Sequence, residues 1–212
     1  MGHLKIADRI RRLFDLAQVH FVVAAEPPHK SSRGLAPLIH RFAMVSLATA
    51  GNPAFLPSLI EMENPPSPFS LDTLRKLARR HRLKATDLYF IAGGDSLLEV
   101  MGWHQGEELL RSYNFIFVAR PGVAARNAAD LFPAGIRERI RDLRVVQANQ
   151  VARRIRIECR RGETRIFIVD AGAPDISSSM VRNLASAGKS IRHLVPVSVH
   201  QYIHKLHLYG ER

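Results

Sequence analysis

Apolar residues recur along this chain in two alternating rhythms. Short, nearly unbroken apolar runs at His20–Ala25, Phe55–Ile60, Asp87–Ala92, Asn114–Ala119 and Thr164–Val169 predict strands. Between them Pro37–Ala50, Leu71–His81, Asp95–Met101 and Ser178–Ala187 place apolar residues at helical spacing. Leu4–Leu16 does the same, with Leu4, Ile6, Ile10 and Leu13 set among Lys5, Arg9, Arg11 and Arg12, and predicts a structural helix. Strands separated by helices are the pattern of βαβ units. Runs such as Phe21–Ala25 and Phe115–Ala119 are apolar on both faces, which suits a parallel sheet covered by helices on each side. The expected class is therefore α/β, a doubly wound, Rossmann-like parallel sheet. Arg160–Glu163, between a strand-like Arg154–Cys159 and Thr164–Val169, predicts a hairpin turn. The Pro-rich passage Asn64–Ser70 predicts a stiff loop forming a pocket wall.

At 212 residues one domain covering 1–212 is expected. No apolar run approaches the roughly 20 residues of a membrane span. The single cysteine, Cys159, excludes an internal disulfide framework and fits a cytoplasmic protein. Asp8 and Asp15 interrupt the N-terminal helix, which argues against a transit peptide. The net charge of +12 implies an anionic partner. Half of that excess lies between Arg137 and Arg165, where ten arginines face four acids. No aromatic side chains interleave them for base stacking, so a solvated face is expected there, with no specific nucleic-acid and no membrane partner.

In doubly wound sheets ligands bind beyond the carboxyl ends of the strands. The loops at those ends read Glu26-Pro27-Pro28-His29-Lys30, Gly93-Gly94-Asp95 and Arg120-Pro121-Gly122. Gly-Gly-Asp also suits a plain strand-to-helix turn with Asp95 as N-cap. After the last strand comes Asp175-Ile176-Ser177-Ser178-Ser179-Met180-Val181-Arg182, three hydroxyls one turn ahead of an arginine. If a helix starts there, its free N–H groups, the hydroxyls and the guanidinium converge as a polyphosphate site. The alternative is an ordinary N-cap serine cluster. His200, His204 and His207 share helical spacing, but no metal-site context surrounds them, and no metal-ligating residue is assigned.

Together these motifs resemble the bacterial nicotinate-nucleotide adenylyltransferases, which carry H-x-G-H and I-S-S-T-x-I-R signatures. Gly2-His3-Leu4 resembles the end of H-x-G-H-L, Pro27–Lys30 the P-P-H-K, and His40-Arg41 the H-R. Ser67–Leu74 resembles P-S-Y-T-x-D-T-L, Gly93–Leu97 resembles G-A-D-x-L, Trp103–Leu109 resembles W-H-x-x-E-E-L, and Arg120–Gly122 resembles R-P-G. Ile176–Arg182 matches I-S-S-T-x-I-R, and Val195–Tyr209 resembles the closing helix. The resemblance implies adenylyl transfer from ATP to nicotinate mononucleotide, releasing pyrophosphate, with Mg²⁺ arriving on ATP. It implies that Gly2, His3, Gly93, Asp95, Ile176, Ser177, Ser178 and Arg182 bind ATP. His3, Lys30 and Arg182 would be catalytic. Lys30, Phe69, Ser70, Trp103 and Arg120 would receive nicotinate mononucleotide.

The chain departs from the pattern in several places. Phe69-Ser70 stands for Tyr-Thr, Ser179 for Thr and Val181 for Ile. The first histidine of H-x-G-H and the preceding G-G-x-F-D-P strand, central in the family's sheet, are absent ahead of Met1. Losing a central strand strands N–H and C=O groups at about 1–3 kcal/mol each. The expectation is that translation starts upstream, with Met1 as the x of H-x-G-H. Two other readings stay open: an adenylyltransferase using nicotinamide mononucleotide or phosphopantetheine, and a noncatalytic nucleotide-binding remnant.

Overall fold

The computed structural model describes residues 1–25, 34–119, 128–160, 162–172 and 176–210. In chain order the principal elements are α1 (Gly2–Leu13), β1 (Val19–Val22), α2 (Leu38–Thr49), β2 (Phe55–Ser58), α3 (Ser70–His81), β3 (Tyr89–Gly93) and α4 (Ser96–Glu99). They continue with α5 (Gly106–Ser112), β4 (Asn114–Ala119), α6 (Ala134–Arg137), β5 (Ile140–Asp142), α7 (Ala148–Cys159), β6 (Ile166–Asp170), α8 (Ser178–Ser186) and α9 (Val197–Lys205). The chain divides into two compact units, Met1–Pro68 with Pro174–Arg212, and Phe69–Ala173.

The second unit holds a four-stranded parallel sheet in the order β3-β4-β6-β5. Its inner strand β4 is buried from Asn114 to Val118, as an apolar run between two covered faces requires. Phe90, Phe115 and Phe117 stack successively at 5.0 and 5.4 Å, and α3 adds Leu71, Leu74 and Leu77 to the buried set. The Asn114 side chain ties the sheet's entry: its amide donates to the Thr86 and Leu88 carbonyls at 2.9 and 3.1 Å, and its oxygen accepts the Arg165 N–H at 2.7 Å.

Two local expectations fail here. Ala148–Cys159 is a helix, so the strand-like reading of Arg154–Cys159 and the hairpin expected between it and Thr164–Val169 both fail, and Cys159 ends a helix instead of lying in a strand. The alternation Ile155-Arg156-Ile157-Glu158 suggested a strand, but the buried residues are Ile155 and Glu158, three apart as on a helix face, while Ile157 is exposed. Glu158 is only 1% exposed because guanidinium groups compensate its charge: Arg141 at 2.9 Å, Arg165 at 3.4 Å and Arg154 at 3.6 Å.

The first unit pairs β1 with β2 in parallel, Val19 opposite Phe55 and Val22 opposite Ser58. Its helices α8 and α9 close over a cluster of Ile191, Leu194, Val199 and Ile203, joined by Met44 and Ala48 of α2. The α/β class and parallel pairing agree with the sequence reading. Among the described residues the parallel strands form two ladders, β1-β2 and β3-β4-β6-β5, and neither β1 nor β3 has a second strand beside it. No described helix is long and apolar enough to cross a membrane.

Candidate active site

In the first unit the serine cluster divides its work. Ser177 is the N-cap of α8, its Oγ accepting the Met180 N–H at 3.1 Å. Ile176 precedes the cap and Val181 follows it by four residues; both join the apolar cluster, the arrangement of a hydrophobic staple. Ser178 and Ser179 are exposed, and their N–H groups precede the first intrahelical bond, Val181 N to Ser177 O at 3.1 Å. One turn on, the half-buried Arg182 donates from Nη2 to Ser179 Oγ at 3.1 Å. The capping and anion-binding readings are therefore compatible: Ile176 and Ser177 fix the helix start, and Ser178, Ser179 and Arg182 present donors.

Gly2 is buried at the start of α1 and His3 is exposed. The Met1 ammonium donates to the Leu194 carbonyl at 2.8 Å, and burial, with Lys5 adding repulsion, lowers its pKa. Leu194 belongs to the cluster that receives Ile176, so the starts of α1 and α8 are anchored to one apolar body. Tyr209 lies there too: burial raises its phenol pKa, and the positive charges of Arg182 and Arg41 pull it back. A cleft of about 380 Å³ is lined by Ala25, Leu38, Glu61, Met62 and Pro66–Pro68, so the Pro-rich passage does form a wall.

In the second unit Gly93 ends β3 exposed, and a Cβ built on it meets nothing within 4 Å. Asp95 is the N-cap residue of α4, as a plain strand-to-helix turn requires, but its side chain makes no capping hydrogen bond. Phe90, three residues before Gly93, meets the half-buried Trp103 edge-on at 6.0 Å. Phe69, the N-cap of α3, stacks on His104 at 4.0 Å, and its carbonyl accepts Thr73 N and Oγ1 at 3.0 and 3.1 Å. Ser70 opens α3 beside it. The Trp103–Gln105 turn is held by Gly106, where a Cβ would lie 2.0 Å from the Val100 carbonyl oxygen. Phe69, with Ser70 next to it, therefore meets His104, the sequence neighbour of Trp103 and a residue the sequence reading did not single out. Lys30 and Arg120 lie outside the described residues.

The chain has relatives along nearly its whole length. The chain matches the cytidylyltransferase-like family over residues 1–184. It is 39% identical over 211 residues to a probable nicotinate-nucleotide adenylyltransferase of Pelobacter propionicus, covering 100% of this chain and 93% of that protein. A probable nicotinate-nucleotide adenylyltransferase of Geobacter metallireducens is 40% identical over 209 residues, covering 98% of this chain and 91% of its own. The chain belongs to the nicotinate-nucleotide adenylyltransferase family. It is a nucleotidyltransferase. The nicotinic acid mononucleotide adenylyltransferase of Plasmodium falciparum, solved in complex with NaAD, shares its fold, with a TM-score of 0.68 at 18% identity over 98% of this chain and 90% of that one.

The remaining chemistry of this family member is structural. Arg139 donates to the Thr164 carbonyl at 3.2 Å and the Tyr113 carbonyl at 3.3 Å, and also to Leu110 O and Thr164 Oγ1; burial pulls its pKa down to about 10. Arg144 grips Asp142 at 2.6 Å. Much of the basic stretch is therefore spent on carboxylates and carbonyls, where a solvated face was expected. Cys159 shares a 3.2 Å hydrogen bond with Tyr89, whose phenol pKa burial raises. His200, His204 and His207 lie 6.4 and 6.5 Å apart in succession, and among the described residues no three His, Cys, Asp or Glu gather to hold a metal.

Proposed function

We propose that residues 1–212 act as one nucleotidyltransferase domain that transfers the adenylyl group of ATP to nicotinate mononucleotide in NAD biosynthesis. The mononucleotide phosphate oxygen attacks the α-phosphorus in line, a new P–O bond forms, and the bond to the β-phosphate bridging oxygen breaks, its electron pair leaving with pyrophosphate. The nucleophile is already anionic, so no general base is required and catalysis is positioning plus charge stabilisation. The observation that carries this reading is the start of α8, where exposed Ser178 and Ser179 and the Arg182 fork present donors at one helix end.

In this reading Arg182, Ser178 and the backbone from Ile176 to Ser178 take the ATP phosphates, with Ser177 shaping the turn. His3, beside Gly2, stabilises charge on the α-phosphate, and Lys30 draws the two phosphates together. The open space over Gly93 admits the adenylate ribose, whose hydroxyls donate to Asp95. Trp103 and Phe69 receive the pyridine ring, Ser70 opens the helix that recognises its carboxylate, and Arg120 adds a cation. Hydroxyls and a guanidinium complement phosphate oxygens rather than a cation, so Mg²⁺ fits as part of the MgATP substrate. The site is cytoplasmic, and neither nucleic acid nor membrane is a substrate.

The test is pyrophosphate release with ATP and each acceptor in turn. Release with nicotinate mononucleotide, and at least about 100-fold less with nicotinamide mononucleotide or phosphopantetheine, is expected. ATP binding without turnover on any acceptor would identify a noncatalytic remnant instead.

A further inference from the structure

The turn that carries Trp103 and His104 has few buried side chains to fix its shape. Gly102, His104 and Gln105 are exposed, and Gln105 adopts the left-handed conformation, φ 53°, which disfavours any residue with a Cβ. Its carbonyl begins α5 by accepting the Leu109 N–H at 2.9 Å, but its side chain makes no capping hydrogen bond. That side chain goes elsewhere: Nε2 donates to Glu108 Oε2 at 3.1 Å. The other oxygen, Oε1, accepts from Arg75 Nη2 at 2.5 Å, and Arg75 Nη1 lies 3.4 Å from Asp72 Oδ1. One carboxylate therefore ties the turn to α3, across 33 positions of chain.

Two features separate this run of bonds from an ordinary surface ion pair. The helices do not need it to dock: Leu71 and Leu74 of α3 and Leu109 and Leu110 of α5 are buried in one apolar cluster. The Arg75 and Glu108 side chains are 38% and 47% exposed, and exposed pairs contribute little to folding. The neighbouring Glu107 shows the ordinary case, its carboxylate accepting from Arg111 one turn along the same helix at 2.8 Å. Glu108, by contrast, reaches past its own helix, and α3 is the helix whose N-cap, Phe69, lays its ring on His104. The turn is thus held to α3 at two points, by the aromatic contact at His104 and by the carboxylate at Gln105.

We propose that Gln105, Glu108 and Arg75 are positioning residues that hold the Trp103–His104 turn in the conformation that receives nicotinate mononucleotide, touching no substrate themselves. This rests on the reaction proposed above. A site whose competent conformation is populated in only a fraction of molecules binds more weakly by that fraction, so a fall to about 10–30% competent weakens binding about 3- to 10-fold.

The test compares Gln105→Met, Arg75→Met, their double variant and Glu107→Gln in the full chain. Trp103 is the only tryptophan, so the decay of its fluorescence anisotropy reports on the turn independently of activity. Gln105→Met and Arg75→Met should each raise KM for nicotinate mononucleotide about 3- to 10-fold, with kcat and KM for ATP within about twofold. Each should also enlarge the nanosecond depolarisation of Trp103 about twofold or more. The double variant should lie within about twofold of the larger single effect, because both act through Glu108. Glu107→Gln, which breaks a pair of similar exposure on the same helix, should leave both readouts at their wild-type values. A KM within about twofold of wild type for either methionine variant, effects that multiply, or an equal shift in Glu107→Gln would overturn the proposal. A wild-type protein that releases no pyrophosphate refutes the reaction; unchanged Trp103 depolarisation in the methionine variants refutes the hold on the turn, whether or not the protein is active.

Discussion

The Phe69 ring lies over the imidazole of His104, centroids 4.0 Å apart and planes inclined by 27°. Such a pair is worth about 0.5–1.5 kcal/mol beyond its buried area and orients both partners. Replacing His104 by alanine should raise KM for nicotinate mononucleotide by about 3- to 10-fold with kcat within twofold. Steady-state kinetics with each substrate varied in turn separate this from an effect on ATP, which would place the aromatic pair on the wrong substrate.

Ser177 and Ser178 should fail in different ways. Ser177→Ala removes the cap on Met180 N and should cost about 1 kcal/mol, a fall in Tm of about 2–4 °C. Ser178→Ala removes an exposed hydroxyl, so Tm should hold while KM for ATP rises about 3- to 10-fold. Calorimetry beside ATP kinetics distinguishes them; identical stability losses would make both serines caps.

Arg182 bonds only to exposed Ser179 among the described residues, so the fold has little need of its guanidinium. Arg182→Lys keeps the charge and loses the fork. It should lower kcat/KM by about 10²–10³ with an unchanged melting curve. A loss below tenfold would show that charge alone suffices there.

Glu158 is the opposite case, a buried carboxylate among arginines. Glu158→Ala leaves those charges uncompensated and should cost about 3–5 kcal/mol in urea denaturation. Arg154→Ala, whose side chain is 55% exposed at 3.6 Å from Glu158, should cost no more than about 1 kcal/mol.

Asp142 should mark the acid limb of stability. Burial by itself would raise its pKa, but hydrogen bonds from the Arg144 side chain and backbone outweigh that and hold it below the ordinary value. A depressed folded-state pKa contributes stability that is fully present above about pH 4 and lost as pH falls through the folded value. Asp142→Asn should therefore flatten that part of the stability–pH curve while lowering stability at pH 7. A curve with unchanged acid slope would rule the pair out as its source.

What the sequence revealed depended on whether a signal was local. Phe115–Ala119 announced a buried parallel strand because its apolar run needs no partner to be read. Ile155–Cys159 misled because alternation over five residues mimics a strand; the carboxylate of Glu158 is buried only because Arg141 and Arg165 reach it from other elements. β5 was missed because three residues with one buried apolar side chain carry no period. At the site, the serines were visible as a type, but their division of labour turns on which residue begins the helix. His104 was visible inside the Trp103–Leu109 motif, whereas its partner lies 35 positions earlier. Arg41 was visible inside the His40-Arg41 motif, but not its acceptors, the carbonyls of Ala24, Ala25 and Ala36, since main-chain carbonyls are the same at every residue.

The arginines bound to Glu158, Asp142 and the main chain bear on how the protein behaves in the hands of a biochemist. An internal ion pair cancels field locally but leaves total charge at +12, so retention on a cation exchanger will be that of a strongly basic protein. Affinity for nucleic acid depends instead on how many guanidinium groups are free to displace counterions. The two measures will diverge: tight retention on the resin, and copurifying nucleic acid that moderate salt strips away.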